Sequence, residues 1–109
     1  MIGQYNKLVR DRIPDIIHNQ GGVPKIRILD DENYIAALNQ KLQEEVAEYF
    51  EAHDVGELAD VAEVILAIAA HQGISVETFE EIRQKKREER GGFQGRTYLE
   101  EIERPRNCS

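Results

Sequence analysis

Two apolar stripes at helical spacing, separated by a very short break, constrain this chain more than any other feature. In the first, Ile35, Leu38, Leu42, Val46 and Tyr49 recur at three- and four-residue steps, which is the spacing of one helix face. In the second, Leu58, Val61, Val64, Ile65 and Ile68 make a wider apolar face, the mark of a well-buried helix. Asp31 is the expected cap of the first helix, which should run to about His53. The second should span Gly56 to His71, with Gly73 as its stop. If the link from Ala52 to Gly56 closes them into an antiparallel hairpin, their flanks face one another.

The rest of the chain reads around this hairpin. Ser75 is the expected cap of a third long helix, carrying Phe79 and Ile82 and continuing through a charged tract to Gly91 and Gly92. Near the start, Leu8, Val9, Ile13, Ile16 and Ile17 lie among charged residues, and Pro14 fits the first turn of a short helix ending before Gly21 and Gly22. Val23 to Leu29 alternates around Lys25 and Arg27, the pattern of a short strand. Such a strand needs a partner, from Arg96 to Leu99 or from a second subunit. The expected fold is therefore mainly α, a helical bundle with one or two short strands, forming a single domain over residues 1–109.

Composition narrows the function classes. A chain of 109 residues buries about two-thirds of its unfolded surface, so a lone monomer has a thin core and at least a dimer is expected. The net charge of −7 argues against a general nucleic-acid binder, which needs Lys and Arg to neutralise phosphates. The single cysteine, Cys108, can build neither a disulfide nor a cysteine zinc site within one chain, which fits a reducing cytoplasm. The longest apolar run, Val64 to Ala70, is too short to span a bilayer, and Met1 to Arg12 has no secretory-type apolar stretch. A soluble cytoplasmic protein is expected, without membrane or stable nucleic-acid partners.

The acidic residues are placed for chemistry. With each helical residue turning about 100° and Ile35 at zero, Glu45 falls near −80°, Glu48 near −140° and Glu44 near 180°. Glu45 and Glu48 thus share a flank of the stripe, one turn apart. Glu57 and Asp60 occupy a matching flank of the second helix. Across a hairpin these four carboxylates converge, a repulsive arrangement unless cations occupy it. All-oxygen ligation suits Mg²⁺ or Mn²⁺ rather than zinc. The alternative is a solvated acidic face, with Asp54 and Glu57 forming a capping box.

A positive patch accompanies the acids. On the third helix Lys86 and Arg90 continue the line begun by Phe79 and Ile82. Arg83, Lys85, Lys86, Arg87 and Arg90 against Glu88 and Glu89 leave a local charge of +3. Anionic phosphate is a natural partner for such a patch; ion pairing along the helix is the alternative. His18, His53 and His71 have no metal-site spacing, and no nucleophilic triad, phosphate loop or dinucleotide fingerprint is present.

These residues match a known pattern. Glu44-Glu45-Val46-Ala47-Glu48 followed by Glu57-Leu58-Ala59-Asp60 resembles the E-E-x-x-E … E-x-x-D signature of the MazG-like all-α nucleoside triphosphate pyrophosphohydrolases. The opening from Tyr5 to Pro14 and the stretch from Lys86 to Phe93 look like the branch labelled phosphoribosyl-ATP pyrophosphohydrolase-like, so the resemblance spans Tyr5 to about Leu99. It implies an oligomeric helical enzyme, a homodimer or homotetramer. It also implies Mg²⁺-dependent cleavage between the α- and β-phosphates of a nucleotide to give a monophosphate and pyrophosphate, a house-cleaning role. Carried over by position, Glu45, Glu48, Glu57 and Asp60 are the metal ligands. By the same resemblance, Glu44 and Glu63 match acidic positions that support the metal ligands or orient water, Lys86 and Arg90 hold phosphate, and Lys7, Arg10 and Asp11 close over nucleotide. The short link between the acidic halves departs from many relatives. Two rivals stay open: hydrolysis of phosphoribosyl-ATP in histidine biosynthesis, and a non-catalytic helical interaction module.

Overall fold

The computed structural model describes residues 6–105; Cys108, and Tyr5 at the start of the family-like opening, lie outside them. The described chain is mainly α, with four helices in order: α1 (Ile13–Asn19), α2 (Asp31–Ala52), α3 (Val55–His71) and α4 (Val76–Arg90). Pro14 sits in the first turn of α1, where its missing N–H removes no helical bond. Beyond α1 the chain turns back tightly, and the Gly22 N–H donates to the Ile17 carbonyl at 2.9 Å. A Cβ on Gly22 would stand 2.7 Å from Ile17 Cγ2, so glycine permits the close approach.

The strand expectation is corrected: among the described residues there is no strand at 23–29 or 96–99. The alternation is real, but no ladder forms to use it. Pro24 lacks a donor, Arg96 adopts a left-handed φ of 57°, and Val23, Ile28, Tyr98 and Leu99 are left exposed.

Both helices of the hairpin are capped at their starts, and a left-handed residue closes the turn between them. The cap of α2 is Asp30, one residue earlier than expected, whose carboxylate accepts from the Asn33 N–H at 2.9 Å. Asp31 and Glu32 then occupy the first turn, where the helix dipole favours negative charge. At the other end His53 takes a left-handed φ of 54° and its N–H donates to the Tyr49 carbonyl at 2.7 Å. The next residue, Asp54, caps α3 by accepting from the Glu57 N–H at 2.9 Å. Two residues thus reverse the chain. The return is antiparallel: His71 at the end of α3 lies 3.5 Å from Asp31 and meets Tyr34 edge-on, with ring centroids 5.7 Å apart.

The buried apolar residues are Leu38 of α2 and Val64 and Ala69 of α3. Ile35, Leu42, Val46, Val61, Ile65 and Ile68 are half-buried, and Leu58 is exposed. Gln72 ends α3, Gly73 turns the chain with a φ of 80°, and Ser75 caps α4 as expected. The axes of α3 and α4 bend by 109°. Helix α4 packs on α3 but not on α2, α1 packs on no other helix, and the described chain extends over 72 × 32 × 24 Å. Its radius of gyration is 20.1 Å, against about 13 Å for a compact domain of 100 residues. No single described helix is long and apolar enough to cross a membrane.

Candidate metal centre

The hairpin brings three of the four sequence-predicted ligands together. Carboxylate oxygens of Glu45, Glu57 and Asp60 all lie within 4.8 Å of one another. Glu45 is the buried member, only 6% exposed, and shares the inward direction of Leu38. Its position on the helical wheel explains this: Leu38 and Glu45 are seven residues apart, within about 20° of the same phase. The face that α3 covers is therefore the acidic flank of the stripe rather than its centre.

The two Glu45 oxygens have different surroundings. Oε1 receives the Lys41 ammonium at 3.1 Å, whereas Oε2 is buried without a hydrogen-bond partner among the described residues. Glu57 likewise has an unpartnered buried Oε2. Its backbone N–H binds Asp54, so the Asp54 side of a capping box is present while the Glu57 carboxylate belongs to the cluster. A buried acceptor left unpaired costs about 1–3 kcal/mol and more when ionised. Two such oxygens on members of one acidic cluster fit a hard cation with oxygen ligands.

Glu48, the fourth sequence-predicted ligand, is exposed and stands outside the tight trio. It still feels the cluster. Its carboxyl is held above the ordinary glutamate range, first because its protonated form can donate to Glu45, then by the charge of Glu45 and, more weakly, by partial desolvation and the charge of Glu57.

Two cations touch the acids, one at Asp60 of α3 and one at Glu45 of α2. Arg10 Nη2 donates to Asp60 Oδ1 at 2.7 Å, tying the N-terminal segment to α3. The partially exposed Arg10 and Asp60 side chains make this a solvated pair. Lys41, which the sequence reading passed over, is half-buried and lies 3.1 Å from Glu45 and 3.7 Å from Glu44. Burial pulls its ammonium towards neutrality, but the bond to Glu45 and the charges of Glu45, Glu44 and Glu48 outweigh this and raise its pKa. The signal was legible: Lys41 stands three and four residues before Glu44 and Glu45.

The other expected residues lie outside the cluster. Lys7 and Asp11 are exposed in the segment that carries Arg10. Lys86 and Arg90 are exposed on α4, which does not pack on α2, and no hydrogen bond or ion pair joins them to the carboxylates among the described residues. Glu63 is exposed on α3.

No family model matches the chain. No solved structure matches it either. A curated protein of Mycolicibacterium smegmatis (strain ATCC 700084 / mc(2)155), described as uncharacterized, is 60% identical over 42 residues, which is 38% of this chain and 43% of that protein. The chain thus aligns with less than half the length of that relative.

Proposed function

We propose that the Glu45, Glu57 and Asp60 cluster, with Glu48 beside it, holds Mg²⁺ or Mn²⁺, and that the chain is a cytoplasmic nucleoside triphosphate pyrophosphohydrolase of the MazG-like type. The observation that carries this reading is the buried, unpartnered Glu45 Oε2 within a three-carboxylate cluster. A carboxylate sequestered in that way is costly for a solvated surface and useful to a metal centre. When bound, the cation would neutralise phosphate charge and lower the pKa of an attacking water.

The chain's own residues supply the remaining parts. Lys41 offsets part of the cluster's charge and fixes the Glu45 rotamer through its 3.1 Å contact. Glu44, 3.7 Å from the same ammonium, would orient water at the edge of the site, the role the resemblance implies. Arg10 brings a guanidinium to the rim beside Asp60, where it can meet a phosphate oxygen. Lys7 and Asp11, on the same segment, provide the adjoining polar contacts for nucleotide.

A pyrophosphate-release screen over nucleoside triphosphates and phosphoribosyl-ATP, with and without Mg²⁺, tests the proposal. Mg²⁺-dependent release of pyrophosphate and a nucleoside monophosphate, abolished in Glu57→Gln, is expected. Absence of Mg²⁺-dependent release from every substrate would overturn the enzymatic reading. Turnover confined to phosphoribosyl-ATP would reassign the substrate.

A further inference from the structure

The unlike oxygens of Glu45 bear on which cation the cluster accepts. Oε1 meets the Lys41 ammonium at 3.1 Å, while Oε2 is buried without a partner among the described residues. Lys41 is held in place: its side chain is only 19% exposed, it stands one turn before Glu45 on the same helix, and Glu44 lies 3.7 Å from the same ammonium. Asp60 also has an oxygen engaged by a cation of the chain, Oδ1 by Arg10 at 2.7 Å, but that pair is solvated and water or a metal ion competes for it. Lys41 is therefore the fixed cation of the two.

Hard cations differ in what they ask of a carboxylate. Mg²⁺ keeps a near-octahedral shell, retains several waters and takes one or two carboxylates, whereas Ca²⁺ gathers about six to eight oxygens and accepts both oxygens of a carboxylate. A cation held by both oxygens of Glu45 needs Oε1, which the ammonium occupies, and it would sit close to a like charge. With Oε1 taken, Glu45 has Oε2 left to offer, beside the buried, unpartnered Oε2 of Glu57 and the carboxylate of Asp60. So small a set of protein oxygens suits an ion that completes its shell with water and leaves the larger ion short of ligands.

We infer that Lys41 determines the metal specificity of the cluster: by holding Glu45 Oε1 it restricts Glu45 to one metal-facing oxygen and favours Mg²⁺ and Mn²⁺ over Ca²⁺. This selectivity presupposes the metal binding proposed above. Lys41 acts through Glu45 and is a positioning residue. A lysine that only offset charge would weaken every divalent cation to a similar degree, so the ratio of Ca²⁺ to Mg²⁺ affinity separates the two roles.

Displacement of bound Mn²⁺ by Mg²⁺ and by Ca²⁺, followed by electron paramagnetic resonance of the released Mn²⁺, measures that ratio in the full chain. In the wild type Mg²⁺ should compete better than Ca²⁺ by at least about tenfold, within the range that ligand number and site rigidity command. Lys41→Met keeps a long side chain of good helix propensity and loses the ammonium, so circular dichroism should be unchanged. All three cations should bind it more tightly, and Ca²⁺ should gain at least about tenfold more than Mg²⁺. Lys41→Leu, equally without an ammonium, supplies the same comparison if Lys41→Met does not fold. A wild type that takes Ca²⁺ as readily as Mg²⁺, or an unchanged ratio in the variant, would overturn the role of Lys41 while leaving metal binding intact. No saturable Mn²⁺ uptake by the wild type would overturn the metal reading and this selectivity with it.

Discussion

Glu45 sets the local energetics of the candidate site, because one of its oxygens is satisfied by Lys41 and the other by nothing in the described chain. In Glu45→Gln the side chain keeps its size but loses its charge, which relieves repulsion from Glu48, Glu57 and Asp60. Melting temperature without metal should hold or rise, while turnover should drop by at least about 100-fold, as for loss of a major electrostatic contact. Unchanged Mg²⁺-dependent turnover would remove Glu45 from the site. Glu48 gives a pH test whose sign is fixed by its raised carboxyl. A group with a folded-state pKa above its unfolded value contributes stability that is full below the unfolded value and lost as pH rises through the folded one. The metal-free wild type should therefore lose stability as pH climbs out of the ordinary glutamate range, and Glu48→Gln should remove that loss. Superimposable pH profiles of melting temperature for the two proteins would contradict the account. The spacing of Lys41 before Glu44 and Glu45 was legible as an ion pair, but that spacing also occurs on solvated helix surfaces, and its burial against Glu45 is what ties it to the site.

At the scale of elements, the hairpin was legible because its signals are local. Apolar spacing marked α2 and α3, and Ser75 marked the start of α4. The one-turn pairs Glu45/Glu48 and Glu57/Asp60 located the acidic faces. What sequence did not reveal was which part of the α2 stripe α3 would cover, since that depends on packing between helices. The expected strand at 23–29 failed for a similar reason: alternation is local, but a ladder requires a distant partner. The cap at Asp54 links the element to the site, since it fixes the first turn of α3 beside Glu57. Asp54→Ala should cost about 1 kcal/mol of stability and weaken metal binding, whereas Asp54→Asn, which keeps the accepting oxygen, should restore both. Denaturant unfolding with and without Mg²⁺ measures the pair; equal metal affinity in all three proteins would disconnect the cap from the site. Ser75→Ala serves as the comparison, expected to cost about 1 kcal/mol at α4 without altering metal affinity.

At the scale of the whole molecule, the few buried side chains among the described residues all lie on α2 and α3, and Glu45 is the one member of the acidic cluster that joins them. Ligands that bind only the folded state stabilise it, so Mg²⁺ at 100 times its dissociation constant should add about 2.7 kcal/mol to unfolding. Calorimetry with Mg²⁺ and with an equal ionic strength of Na⁺ separates this effect from general screening; identical melting temperatures would argue against a specific site. The central claim, that Glu45, Glu57 and Asp60 together bind a divalent cation, is tested most directly by electron paramagnetic resonance titration of Mn²⁺ into the metal-free protein. The wild type should remove the free Mn²⁺ signal saturably, with Mg²⁺ competing, and Glu57→Gln should leave most of the signal in solution. Equal uptake by the two proteins, or no saturable uptake by the wild type, would contradict it.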